Sequence, residues 1–225
     1  MTEMQQEYAM FVSQSDDRFP ITYDSRSLKE LTYVFDKQYI CHTAWAARVL
    51  AQTRPEKHVD IASTVFFSVA MSAFIPVEFY DYREWKLTID NMKTAFEDIR
   101  KLSFLDNSIQ SLSCMHVVEH IGLGRYGEDL DPYADLKSMA ELYRVLAYGG
   151  DLLFVVPIGS PEVIFNLHRI YSYDQIISYF EGLKLVEFAL IPDKTPGDLI
   201  RNASRELANQ QDYGCGCFLF RKDEK

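Results

Sequence analysis

The stretch Ser111–Gly127, SLSCMHVVEHIGLGRYG, starts as a short apolar run and breaks at Met115–His116 into charged, histidine-rich and then glycine-rich sequence. A run of that length bounded by turn residues is consistent with a strand buried on both faces, the kind that parallel sheets covered by helices contain. In open α/β sheets ligands bind just beyond the carboxyl ends of the strands. His116, Glu119 and His120 therefore stand where chemistry is expected. The competing reading is a buried, hydrogen-bonded histidine pair that only closes the strand.

The rest of the chain repeats this alternation. Residues 1–25 show no periodicity and read as a loosely attached arm, leaving 26–225 as a single domain. A short helix is expected over 27–35, and a firmer one in YICHTAWAARVLAQTRPEK, with Ile40, Ala44, Ala47 and Leu50 or Ala51 at helical spacing and Pro55 after its stop. Tyr39 and His42, on a face with Ala46, read as ordinary polar residues of an amphipathic helix. KHVDIAS (57–63) gives a strand, 64–74 a helix, and PVEFYDYREW a second strand ending at Asp81. Further strands are expected at 92–96 and 109–114. Leu136, Met139, Ala140, Leu142 and Leu146 mark a helix that Gly149–Gly150 would end, followed by a buried strand over 151–157. A helix over 172–180 and strands over 183–191 and 215–221 complete the series, with a polar helix or loop near 196–211. Strands alternating with helices through one domain mean a doubly wound α/β fold.

At 225 residues and 48% hydrophobic the chain can bury one full core. Its 15 Phe and 14 Tyr suit a layered core and a pocket with flat walls. A net charge of −10 repels a phosphate backbone, so nucleic acid is a poor partner. The four cysteines, Cys41, Cys114, Cys215 and Cys217, lack the paired spacing of a metal site and read as reduced cytosolic thiols, so no metal is expected. The polar, acidic start MTEMQQEYAM is unlike an export signal. Residues 61–79 carry one charge but read as strand, helix and strand, so no membrane span is expected. The expectation is a cytoplasmic protein acting on small or neutral molecules. Asp60 and Asp81 are separated by about twenty residues, the spacing nucleotide folds use between their first turn and a ribose-binding carboxylate.

The order of VDIAS, FYDYRE, EDIRKLSFLDNSIQSLSCMHVVEHIG, RVLAYGGDLLFVVP and NLHRIYSYDQIISYFEGLKLVEF resembles the class I S-adenosylmethionine-dependent methyltransferases from about residue 40 onward. The phrases HTAWAARVL, SCMHVVEHIGLGRYG, FNLHRIYSY and YGCGCFLFRK are similar to a bacterial family known as domain of unknown function 268, from cell-surface glycan gene clusters. The resemblance implies a Rossmann-like, mostly parallel seven-stranded sheet with an antiparallel last strand. It implies S-adenosylmethionine as cofactor, a small-molecule or carbohydrate acceptor, and a possible homo-oligomer.

Carried over residue by residue, the resemblance places Asp60, Ala62, Ser63 and Thr64 under the methionine and ribose. Asp81 would take the ribose hydroxyls, Asp98 with Ile99 the adenine, and Met115 the turn after the fourth strand. The departure is at the first turn, where Ala62, Thr64 and Phe66 replace the family's glycines and Phe66 could fill cofactor space. Methyl transfer needs alignment and, for a hydroxyl acceptor, a base. His120 is expected as that base, His116 as its neighbour and His168 as a substrate contact, with Glu119 orienting one ring. Two other classes follow from the same residues. A glycine-poor first turn suits a non-catalytic or degenerate methyltransferase-fold binding protein. HVVEH matches the H-x-x-E-H of zinc hydrolases, with His116 and His120 as ligands and Glu119 as base, although Gly122 and Gly124 leave scant room for a helix.

Overall fold

The computed structural model describes residues 2–15, 21–23 and 35–223. The helix expected over 27–35 lies outside the described residues except for Phe35. Contacts divide the chain into two units, Met1–Phe35 and Asp36–Lys225. In the first, α1 (Glu3–Gln14) is a helix that no apolar periodicity announces. None of its residues is buried, and a capping box between Thr2 and Gln5 closes its first turn.

In the second unit the chain runs α2 (Lys37–Thr53), β1 (His58–Ile61), α3 (Val65–Ser72), β2 (Val77–Asp81), β3 (Met92–Phe96), β4 (Ile109–Met115), α4 (Ala134–Val145) and β5 (Leu146–Ile158). It continues through β6 (Glu162–Ile164), β7 (His168–Ile170), α5 (Tyr173–Tyr179), β8 (Leu183–Ile191), β9 (Ile200–Arg201), α6 (Arg205–Ala208) and β10 (Gly214–Lys222). The main sheet has the order β3-β2-β1-β4-β5-β10-β8-β9. From β3 to β5 every pairing is parallel. β10 inserts antiparallel between β5 and β8. This is the Rossmann-like α/β arrangement expected, and the two-residue β9 adds an eighth strand at the edge beyond the seven anticipated.

Period-two alternation sends neighbouring residues of each central strand into different layers. Leu152, Phe154 and Val156 of β5, with Phe188, Phe218 and Phe220, face a core shared with Met139 and Leu142 of α4 and Ile176 of α5. Leu153 and Val155, with Ala189, Cys215 and Cys217, face the other way, onto Trp45, Val49 and Phe67 of α2 and α3. The cysteines are all free.

Three details depart from the sequence reading. The buried face of α2 is His42, Trp45, Ala46, Val49 and Leu50, not the Ile40, Ala44, Ala47 stripe. Ile40 is exposed, because Trp45 and Val49 offer more area to the sheet and turn the helix accordingly, and His42 goes inside with them. Gly149–Gly150 do not end α4, which stops at Val145. β5 starts directly at Leu146 and slips register against β4 between Ile109 and Ser111. A Cβ on Gly150 would lie 2.9 Å from the Ala147 carbonyl oxygen and 3.0 Å from that of Ile109, so glycine permits the bulge. β6 and β7 form a small hairpin after β5, an exposed strand paired with a buried one, each of three residues and too short to show alternation.

A buried polar chain ties β1 to β4 under the ligand edge. His58 Nδ1 and Nε2 lie 2.8 Å and 2.9 Å from the Ser111 and Ser113 hydroxyls. The Ser113 hydroxyl donates to Asp60 Oδ2 at 2.8 Å, and Ser63 N–H donates to Asp60 Oδ1 at 2.9 Å. The Ser63 hydroxyl in turn accepts from the Met115 N–H at 3.0 Å. Burial raises the Asp60 carboxyl to about 6, against the hydrogen bonds that lower it. A folded-state carboxyl that holds its proton more tightly than the unfolded one gains stability as pH falls from about 6 to about 4. Relative to Asp60→Asn, the parent chain should gain about 1.4 kcal/mol per pH unit over that window, with the full gain present below it. Urea midpoints of both proteins between pH 4 and 7 measure this, and parallel profiles would contradict it.

Candidate active site

The parallel strands end together, and a cleft lies beyond their carboxyl ends. Its walls include Ile61 and Ala62 after β1, Asp81 and Arg83 after β2, Asp98, Ile99 and Arg100 after β3, and His116, Val117 and His120 after β4. Two of these residues hold left-handed backbone without being glycine, Ala62 at φ 54° and His116 at φ 56°. Each such conformation costs about 1–2 kcal/mol, and such strain gathers at ligand sites. Ala62 thus adopts the bend for which glycine would be expected, with only a methyl group to accommodate. Phe66 does not fill the cleft. It is 83% exposed and, with Thr64, faces an outer groove beside Tyr39, Ile40 and Thr43 of α2.

Asp81 is buried at the end of β2, and its carboxylate is fully engaged. Oδ1 accepts from the Arg83 N–H at 2.8 Å and Nε at 3.0 Å, and Oδ2 from Arg83 Nη2 at 2.8 Å and Trp85 Nε1 at 3.2 Å. Burial pushes this carboxyl up, but the hydrogen bonds from Arg83 and Trp85 outweigh it and hold it below the usual range. Asp98 repeats the device. Arg100 donates its N–H at 2.9 Å, Nε at 3.0 Å and Nη2 at 2.7 Å to that carboxylate and lowers its pKa. Sequence reasoning identified the two acids and missed the arginines. The signal was present as DYR at 81–83 and DIR at 98–100, two acid-x-arginine steps after neighbouring strands.

The segment after β4 folds as a 3-10 turn over Val118–His120 rather than an α-helix. Gly122 follows at φ 78°, and a Cβ there would sit 2.2 Å from the Asp131 carbonyl oxygen, so only glycine lets the loop close on the start of α4. Within the turn, His116 Nδ1 lies 2.8 Å from Glu119 Oε1, and His116 Nε2 lies 3.3 Å from Cys215 Sγ on β10. Burial would lower the His116 pKa, but Cys215 and Glu119 outweigh it and raise it. His120 Nδ1 is 2.6 Å from the Leu167 carbonyl oxygen, to which it donates, leaving Nε2 with the basic lone pair. Glu119 Oε1 lies 2.8 Å from His116 Nδ1 and 3.8 Å from His120 Nε2, and the remaining nitrogens go to Cys215 and to the Leu167 carbonyl, so among the described residues the two histidines do not form the paired ligands of an H-x-x-E-H zinc site.

The remaining candidates lie off the cleft walls. Asp60, Ser63 and Met115 are buried beneath the floor and brace the turns. His168 stacks on Tyr213 with ring centroids 5.0 Å apart and lies 6.4 Å from the His120 ring. Its Nε2 finds no hydrogen-bond partner among the described residues. Burial, then His120, lower its pKa.

The model of a family described as "Caenorhabditis protein of unknown function, DUF268" matches residues 81–213. Curated proteins give no sequence match. Among solved structures, the chain is similar to the N-methyltransferase NodS from Bradyrhizobium japonicum in complex with S-adenosylhomocysteine. The TM-score is 0.58 at 14% identity, over 84% of this chain and 88% of NodS. It is similar to the Burkholderia thailandensis 1,6-didemethyltoxoflavin-N1-methyltransferase, at TM-score 0.56 and 12% identity, over 83% of this chain and 79% of that one. The [4+2]-cyclase SpnF is a further neighbour, at TM-score 0.58 and 12% identity over 81% of each chain. At such identities the likeness shows the class I methyltransferase fold. No helix among the described residues is long and apolar enough to cross a membrane.

Proposed function

The chain belongs to the DUF268 family, and from that membership and the cleft we propose that it is an S-adenosylmethionine-dependent methyltransferase. Its acceptor would be a small molecule or a sugar hydroxyl of cell-surface glycan biosynthesis. The observation that carries this reading is the convergence of Asp81 and Asp98, at the ends of neighbouring strands, on one cleft that His120 also faces. The residues present fit a nucleoside. Carboxylates are the acceptors that ribose hydroxyls and an exocyclic amine require, and the apolar Ile61, Ile99 and Val117 offer surface to a purine ring. Ala62 supports the fit, since its left-handed turn lets backbone approach a ligand despite the missing glycine. When bound, the cofactor would supply an electrophilic methyl group on sulfonium sulfur.

What remains for the chain is alignment and proton removal. Asp81 would accept the ribose hydroxyls once Arg83, whose side chain is largely exposed, gives up its two bonds. Asp98 and Ile99 would hold the adenine. Asp60, Ser63 and Met115 act one layer down, fixing the turns on which Ala62 and His116 sit. His120 would take the acceptor proton at Nε2, its ring oriented by the Leu167 carbonyl. His116 is a poorer base because both of its nitrogens are engaged.

Incubating the protein with methyl-labelled S-adenosylmethionine and a panel of nucleotide sugars and small glycosides tests the proposal. Label in one acceptor, with S-adenosylhomocysteine formed in equal amount, is the expected result. A tightly held cofactor that no acceptor consumes would replace the enzyme with a binding protein on the same fold.

A further inference from the structure

Three donors far apart in sequence converge behind the cleft wall, where α2, the end of β4 and β10 meet. One nitrogen of His42, one of His116 and the sulfur of Cys215 lie within 4.8 Å of one another, and all three residues are buried. His42 Nδ1 is taken by the Gln38 carbonyl oxygen at 2.8 Å, which leaves the lone pair on Nε2. That Nε2 is buried and has no hydrogen-bond partner among the described residues, although His42 has no exposed surface. A buried orphan acceptor costs about 1–3 kcal/mol unless something fills its lone pair. His116 is prepared in the same way, with Glu119 holding Nδ1 and Nε2 directed at Cys215. We propose that His42, His116 and Cys215 bind one borderline-soft divalent ion, zinc in the first instance.

The donor chemistry favours this ion. Two imidazoles and a thiolate suit zinc or copper and exclude magnesium or calcium, which take oxygen ligands. The His116 nitrogen and Cys215 sulfur are 3.3 Å apart. Ligands at ordinary zinc–nitrogen and zinc–sulfur bond lengths around a tetrahedron are separated by about 3.5 Å. The outer contacts are also of the right kind. A metal-bound histidine usually donates its other N–H to a carbonyl or carboxylate, as His42 does to Gln38 and His116 to Glu119. Thiolate and Glu119 would together balance the ion's two charges.

The Tyr39 ring stacks on the His116 imidazole with centroids 5.2 Å apart and meets that of His42 edge-on at 5.1 Å. A Cys–His nucleophile is the competing use of these groups, but it needs an accessible thiol and has no use for a third donor. Cys215 is fully buried, and His42 is the third donor. Three protein ligands is the number a zinc centre keeps when its fourth position holds water or a substrate atom. His116 also lines the cleft, so the ion would tie the cleft wall to α2 and β10.

The test uses the full chain without a histidine tag, stripped with chelator and titrated with Co²⁺ and Zn²⁺. Folding is followed by circular dichroism, and S-adenosylhomocysteine binding is measured separately. One Co²⁺ per chain is expected, giving a thiolate-to-cobalt charge-transfer band that Zn²⁺ abolishes. Cys215→Ala should eliminate the band. His42→Gln, which keeps the volume of the ring, should weaken Co²⁺ binding at least about 100-fold, and Glu119→Gln about 10- to 100-fold. Cys41→Ser should leave the band unchanged. A folded parent chain with no charge-transfer band, or a band that survives Cys215→Ala or His42→Gln, would overturn the site whether or not the cofactor binds.

Discussion

A His120→Ala protein should bind S-adenosylhomocysteine as the parent does and transfer methyl groups about 10²–10⁴ times more slowly, the range for loss of a general base. The two effects separate because of where the ring sits. His120 faces the cleft and makes its hydrogen bond to the Leu167 carbonyl, which also accepts from Arg125 at 2.9 Å. Removing the ring therefore leaves that carbonyl satisfied, and the Tm should change little. Added imidazole should restore part of the rate, since the ring it replaces opens onto the cleft. Full turnover in the variant would end the assignment of His120 as base. Loss of Tm and rate together would make it a structural histidine closing the 3-10 turn.

Asp81→Ala should weaken S-adenosylhomocysteine binding about ten- to hundredfold, the value of one charged hydrogen bond of about 1.5–3 kcal/mol. The companion variant decides the interpretation. Asp81 has all its acceptor positions filled by Arg83 and Trp85, so a ribose must displace the arginine. Arg83→Ala frees the carboxylate in advance and should leave affinity equal or higher. If both variants bind weakly, the pair works as one unit and Arg83 itself contacts the ligand. If neither does, the ribose lies elsewhere in the cleft. Titration calorimetry on the two proteins distinguishes these outcomes.

Much of this architecture was legible in the sequence because buried parallel strands write themselves as apolar runs. β3 and β8 begin and end where the pattern places them, β2 ends at Asp81 as expected, and β1, β4 and β10 agree to within a residue or two. The site was legible at its strand ends, where the chain turns from apolar to charged. Asp81, Asp98, His116 and His120 all reach the cleft. What stayed hidden depends on rotation and on distance. Period alone left the facing of α2 open, and choosing the stripe of Ile40 sent His42 to solvent when the packing of Trp45 and Val49 turns it inward. Asp60 shares its sequence pattern with Asp81, yet β1 lies between β2 and β4, so the serines of the neighbouring strand enclose its carboxylate. The group of His42, His116 and Cys215 has no local signature. Its members come from three elements that only the strand order β4-β5-β10 and the packing of α2 bring together.

The central claim, that this cleft holds the nucleoside of S-adenosylmethionine, is tested most directly by the thermal stability of the purified chain against S-adenosylhomocysteine concentration. A ligand that binds only the folded state stabilises it by RT ln(1 + [L]/Kd), about 2.7 kcal/mol at one hundred times Kd. For a unit of this size that corresponds to a Tm rise of roughly 5–11 °C. The account predicts a saturable rise that needs about ten- to hundredfold more ligand in Asp81→Ala and is unchanged in His120→Ala. An unchanged Tm at millimolar ligand would contradict it, leaving a methyltransferase fold whose cleft serves some other molecule.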